Sequence, residues 1–270
     1  MNIFVCVKQV PDIRSDIVPN SEADFIDTEH LHWIINPEDE CAVEQALLFR
    51  ERIPDTSITA VQVGDKQDSE ALISAMAMGA DDAILVKVTD KQLDPFMTAK
   101  ALKGAIEYYG KQADLILCGN ESFGDESYQV PQILSQMLNL PCVTRILKCS
   151  IDDTTLRLER QIEGGVTEKY KLNLPAVVAC NYGLNTPRYA PLPHINSAHQ
   201  KPLTELSLDE VSVNDNDQRL RYSNYRIIPE KKAGKVFYAV DKYRIEGVVN
   251  EIVEILYSDL DSLLGLLSKK

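Results

Sequence analysis

No apolar run in the sequence approaches the roughly 20 residues that cross a bilayer. The chain opens straight into a strand-like segment, NIFVCVKQ, without the basic start, apolar core and small-residue cleavage site of a secretory leader. That pattern points to the cytoplasm or an organelle matrix. Basic residues are also scarce: 28 Lys and Arg face 41 Asp and Glu, a formal net charge of -13 at pH 7. With no dense basic patch to offset it, such a chain repels a nucleic-acid backbone. The six cysteines, Cys6, Cys41, Cys118, Cys142, Cys149 and Cys180, form no CxxC pair. Four of them lie in apolar, strand-like contexts, where a free thiol acts as a small hydrophobe rather than as a metal or redox ligand. His30 and His32 share a period-2 spacing beside the single tryptophan. No Asp, Glu or Cys follows at a metal-site spacing, so they read as ordinary polar neighbours of Trp33.

The nucleotide and hydrolase signatures are missing too. The first strand runs into KQVPDIRSD rather than GxGxxG, and neither GxxxxGK[ST] nor GxSxG occurs anywhere. Hydride-transfer dehydrogenases, P-loop NTPases and serine hydrolases are thereby disfavoured. With no Ser, His and Asp arrangement at a telling spacing, the chain reads as one that performs no catalysis of its own on a small molecule.

What is present is a globular composition, 44% hydrophobic and 26% charged over 270 residues, enough to bury a full core. The first half alternates two periods. Strand-like runs at NIFVCVKQ, SITAVQV, DAILVKV and DLILCG are separated by helical patterns. These helices are PEDECAVEQALLFRER, SEALISAMAMG and DPFMTAKALKGAIEYYG, and a fourth, SYQVPQILSQMLNL, follows the last run. Strands this apolar belong in a parallel sheet covered on both faces. The expectation is an α/β, doubly wound, mostly parallel sheet that binds its ligand at the carboxyl ends of the strands.

Past residue 140 the pattern changes. CVTRILKCSI, TLRLERQI and EKYKLNL alternate polar and apolar residues, and EGG (Glu163 to Gly165) supplies a hairpin bend. PAVVAC is one more buried strand. From Asn181 the periodicity fades into NYGLNTPRYAPLPHINSAHQKPL and the acidic ELSLDEVSVNDNDQ, before an amphipathic helix, VVNEIVEILYSDLDSLLGLL. We therefore expect an α/β domain over 1–195 and an extended C-terminal arm over 196–270 that docks on a partner.

One junction is peculiar. GNESFGDESYQVPQ, Gly119 to Gln132, lies where a strand gives way to a helix, the usual place for an anion, yet it contains no lysine or arginine. Taken with VCVKQVPD, INPEDECAVEQAL, AMAMGADDAILV, ERQIEGGVTEKYKLNLPAVVA and LNTPRYAPLPHI, it makes the first 200 or so residues resemble the beta (small) subunit of electron transfer flavoproteins. The resemblance implies a Rossmann-like, adenine-nucleotide-binding fold and a heterodimer with an alpha subunit that holds most of an FAD. The junction itself would bind AMP, or a second FAD, through helix N–H groups and neutral side chains. Gln129 and Val130 would meet the phosphate, beside Ser127, and Gly124, Asp125, Glu126 and Tyr128 complete the loop, with Asp125 accepting from the ribose or from the loop itself. Cys6, Asn36, Pro37, Glu38, Asp39 and Val63 would surround adenine and ribose. Ile13 and Arg160 would approach the flavin. Leu192 would be the anchor that docks a flavoprotein dehydrogenase of the acyl-CoA dehydrogenase type, as in fatty acid oxidation. The sequence departs from the family at two points: Pro131 stands where many members have glycine and removes one N–H donor, and Glu38 stands where several carry an aromatic. A rival from another class is a stand-alone nucleotide-binding sensor of the universal-stress type; such proteins carry a GxxGxxxxG loop, absent here, and are about half this length.

Overall fold

The structure is a computed structural model that describes residues 1–22, 26–28, 31–65, 69–88 and 93–221, together with Val253. Four strand and helix pairs open the chain: β1 (Asn2–Val7), a short β2 (Gln9–Pro11) and β3 (Trp33–Ile35), α1 (Pro37–Arg52), β4 (Ser57–Gly64), α2 (Glu70–Met78), β5 (Asp82–Lys87), α3 (Pro95–Tyr108), β6 (Leu115–Gly119) and α4 (Val130–Leu138). Then come β7 (Cys142–Asp152), β8 (Thr155–Gln161), β9 (Thr167–Asn173), β10 (Ala176–Cys180), α5 (Leu192–Ala198) and β11 (Thr204–Ser207).

The helices start and stop for local reasons. α1 has Pro37 in its first turn, followed by Glu38, Asp39 and Glu40, and ends with Arg50 and Arg52, so both charge signs complement its dipole. α3 is capped by Asp94, whose Oδ1 accepts from the Met97 N–H at 2.8 Å.

Nine strands form one sheet in the order β11-β5-β4-β1-β6-β10-β7-β8-β9. All neighbours are parallel except the β7-β8 and β8-β9 pairs, which are antiparallel. β1 alternates its burial: Ile3, Val5 and Val7 join a core with α1 and α2, while Phe4 and Cys6 join a second core with α3 and α4. A sheet covered on both faces is the doubly wound α/β architecture that the apolar strand runs require. The EGG bend is confirmed as a 3-10 turn, Glu163–Gly165, between β8 and β9.

Four elements escape the sequence periodicity. β2 and β3 pair antiparallel in a separate two-stranded ribbon. α5 forms where prolines had obscured any repeat: Pro191 precedes its first residue and Pro193 lies in its first turn, where a missing N–H is harmless. β11 adds an edge strand beside β5, and the following Val211 and Val213 are buried in the core with α3. Asp94 ties the chain further, its Oδ2 accepting from the Arg219 N–H and, at 2.8 Å, from the Leu220 N–H. Residues 196–221 thus pack on the α/β body, so the expected boundary at 195 does not mark where the chain leaves it. Apart from Val253, the rest of the expected arm, its amphipathic helix included, lies outside the described residues, as does His30.

Candidate functional site

The sheet order reverses at β1. The chain proceeds outward through β4 and β5 on one side, then returns to place β6 on the other. Strands diverging from such a point leave a crevice at their carboxyl ends. Here that crevice is a cleft of about 780 Å³, part of it open to solvent, walled by the ends of β1, β4 and β6, the start of α3, and the loop into α4. Its floor is apolar: Cys6, Val63, Leu93, Leu102 and Cys118 line it. Cys118 sits one residue beyond Leu117, the register partner of Val5, so the Cys6 and Cys118 thiols are neighbours. The hydrogen bond between them, and burial, hold the Cys118 thiol well above its ordinary pKa.

Of the residues expected at a nucleotide, Cys6, Asp39, Val63, Asp125, Ser127, Tyr128, Gln129 and Val130 line this cleft together. Asn36, Pro37, Glu38, Gly124 and Glu126 do not; they build it from behind or shape its loop. The Asn36 Nδ2 donates to the Glu121 carbonyl at 2.8 Å, and its Oδ1 accepts from the Phe123 N–H at 3.3 Å. Glu38 accepts from the Glu121 N–H at 2.7 Å and from the Tyr182 N–H at 3.2 Å, bridging the β6 loop to the segment after β10. Its carboxyl is raised by burial. Asp39 accepts from the Lys8 N–H and the Gly119 N–H, both at 2.8 Å, which fastens the end of β1 to the end of β6. Burial outweighs those two donors and pushes its carboxyl up to about 7. Pro37 opens α1 and so aims this trio of side chains at the β6 loop. Gly119 is there of necessity: a Cβ would stand 2.3 Å from Asp39 Oδ1 and 3.0 Å from Asn36 Nδ2.

The loop into α4 is conformationally unusual. Gly124 (φ 94°), Glu126 (φ 42°) and Tyr128 (φ 56°) all occupy left-handed backbone, and two of them carry side chains. Tyr128 donates to Glu121, which raises its phenol above the ordinary value. α4 then starts with no side-chain cap at Gln129. Pro131 occupies its second position, so the orphan N–H groups at this end belong to Val130 and Gln132.

Sequence reasoning missed one cation. The junction stretch has no lysine of its own, but Lys8, immediately past β1, reaches across to it. Its Nζ donates to the Asp125 carboxylate and, at 3.2 Å, to Ser122 Oγ. The rule that ligands bind at strand carboxyl ends pointed to this lysine as much as to Cys6. Asn120, Glu121 and Ser122 were also passed over, although they belong to the same junction stretch.

Ile13, Arg160 and Leu192 do not line the cleft. Ile13 follows β2 and is 73% exposed. Arg160, on β8, lies opposite Ile146 and Glu168, and its buried Nε has no hydrogen-bond partner among the described residues. Leu192 begins α5 and is 69% exposed, next to Tyr189 at 98%. The Leu192 side chain therefore lies mostly in solvent. Arg188 anchors this segment: its guanidinium makes a bidentate pair with Glu44 of α1, both contacts at 2.8 Å, and a further 2.8 Å contact with Glu51. No group of three or more His, Cys, Asp or Glu able to hold a metal occurs among the described residues, and none of their helices is long and apolar enough to cross a membrane.

The sequence has relatives along most of its length. Residues 25–211 match the model of the electron transfer flavoprotein domain. An electron transfer flavoprotein subunit beta of Bacillus subtilis is 39% identical over 240 residues, 87% of this chain and 91% of the relative. That of Dictyostelium discoideum is 32% identical over 260 residues, 95% and 97% of the two chains. Subunit CarD of a caffeyl-CoA reductase-Etf complex from Acetobacterium woodii is 30% identical over 268 residues, 96% and 98%. With a domain match over residues 25–211 and beta subunits aligned along most of the chain, this chain belongs to the electron transfer flavoprotein family, among its beta subunits.

Proposed function

We propose that this chain is the small subunit of a heterodimeric electron transfer flavoprotein that carries electrons between a flavoprotein dehydrogenase of the acyl-CoA dehydrogenase type and a downstream acceptor. It works in the cytoplasm or an organelle matrix and catalyses no small-molecule reaction alone. The alpha subunit holds most of the redox FAD, and the cleft described above holds an adenine nucleotide, either AMP or a second FAD.

The observation that carries the nucleotide assignment is the cleft itself: an apolar floor suited to a base, at the sheet's reversal point, facing the uncapped start of α4. Val130 and Gln132 supply N–H groups there for a phosphate, with Gln129 and Ser127 beside them. Bound flavin would supply the redox chemistry; this chain's part is to shape one wall of its site. Arg160 fits that part, since its buried Nε lacks a partner within the described residues. The exposed Tyr189 and Leu192, on a segment stiffened by prolines and tied down through Arg188, suit a docking surface that loses little chain entropy on binding. The rival reading as a stand-alone sensor draws no support from the relatives named above.

The test is to co-express the chain with its alpha subunit, denature the purified complex and identify the released nucleotides by mass spectrometry. One FAD and one AMP per heterodimer, or two FAD, supports the reading. A lone, nucleotide-free monomer, or one that releases ATP, overturns it.

A further inference from the structure

We propose that Lys8 recognises the phosphate of the nucleotide, and that Asp125 is a built-in competitor which the phosphate displaces. The inference rests on the cleft being a nucleotide site and goes on to say how that site is selected and guarded.

Lys8 is the only Lys or Arg lining the cleft among its described residues, whereas three carboxylates line it: Asp39, Glu121 and Asp125. A phosphate drawn to the start of α4 therefore enters a region with an excess of acidic groups, and one ammonium is available to offset its charge. That ammonium is engaged by Asp125, with Ser122 Oγ at 3.2 Å. Both partners are 45% exposed, so their attraction is screened by water and readily exchanged. A phosphate brings more charge and more acceptor oxygens than a carboxylate to the same donor.

The chain on either side of Asp125 is suited to giving way. Gly124 precedes it in left-handed backbone with nothing within 4 Å of where a Cβ would be, and Glu126 follows it at φ 42°. Lys8, in contrast, is held from behind: its backbone N–H is fixed to the buried Asp39. In the exchange the lysine stays and the aspartate leaves. Adenosine, which has no phosphate, fills the apolar floor without disturbing the pair.

Calorimetric titration of the nucleotide-stripped heterodimer with AMP and with adenosine tests this. Lys8→Gln should weaken AMP binding by about tenfold or more and leave adenosine within about twofold, while Lys8→Arg should restore most of the AMP affinity. Asp125→Asn should tighten AMP by about threefold and again leave adenosine unchanged. An unchanged ratio of AMP to adenosine affinity in Lys8→Gln overturns the proposal. So does equal weakening of both ligands by Asp125→Asn, which would make Asp125 a ribose acceptor. Those failures leave the nucleotide site standing. If the wild-type heterodimer binds neither AMP nor adenosine nor FAD, the site assignment itself falls.

Discussion

Two regions lie at opposite extremes of the same physics. At the carboxyl ends of β1 and β6, the side chains of Asn36, Glu38 and Asp39 turn inward and are used up on backbone groups some 80 residues away, such as the Gly119 N–H. In the segment from Tyr182 to Leu192 the side chains of Tyr182, Tyr189 and Leu192 turn outward, while the Tyr182 N–H, Asn185 and Arg188 tie it to α1. The first region spends polar groups to fix geometry. The second leaves apolar groups uncovered. A buried polar group must be satisfied, so the first has little tolerance for change. An exposed apolar side chain contributes little to folding, so the second is free to serve a partner.

If that contrast is right, the largest loss of stability comes from Gly119→Ala. The added methyl collides with the Asp39 carboxylate, and overpacking of this kind should cost about 3 kcal/mol. The denaturation midpoint of the heterodimer, followed by circular dichroism, measures it; a change below about 1 kcal/mol would mean that the polar knot is loose.

Next is the pH dependence set by Asp39. Its carboxyl is pushed up to about 7 by burial, from an ordinary 3.8. The folded protein then binds this proton more tightly than the unfolded chain. The stability tied to it is full below about pH 4, falls as pH rises toward 7, and is flat above that. Glu38, also raised by burial, acts in the same sense. Unfolding free energies between about pH 5 and 8 should decline in the wild type. They should decline less in Asp39→Asn, which is weaker throughout because an amide opposes one of the two N–H donors. Parallel profiles would remove Asp39 as the source.

Arg188→Met probes the border between the two regions. It strips the bidentate partner from the buried Glu44 and should cost about 1 to 2 kcal/mol. Leu192→Ala comes last, with less than about 0.5 kcal/mol expected, since the side chain is mostly exposed. The same substitution should reduce apparent affinity for the dehydrogenase about thirtyfold in an electron-transfer assay with unchanged flavin content. A large fall in melting temperature with normal transfer would place Leu192 among the packing residues after all.

The sequence made the central architecture readable because parallel strands advertise themselves: NIFVCV, AVVAC and LILCG have no polar face to confuse the period. The hairpin beyond β7 was equally plain from its alternation. β11 was not, because Thr204–Ser207 is four residues long and at an edge, too short for any period to accumulate. In the cleft, local motif reading found the loop from Gly119 to Gln132 but not the long-range pairings around it. Asn36 and Glu38 hydrogen-bond the backbone of that loop, and Lys8 brings a cation to a junction that has none of its own. Neither was legible for one reason: the pairings span 83 residues for Glu38 and Glu121 and 117 for Lys8 and Asp125, distances over which spacing rules carry no information.

The way the sheet ends has a bearing on how the protein survives crowding before it meets any partner. An open row of backbone donors and acceptors invites a strand from another molecule, and among the described residues the nine aligned strands offer two such rows. One row is only as long as β11, four residues. The other belongs to β9, TEKYKLN, whose Lys169 and Lys171 point into solvent at alternate positions. A second molecule that paired there would set its own lysines against these, so the switch from parallel to antiparallel strands also furnishes the molecule with an edge that discourages aggregation.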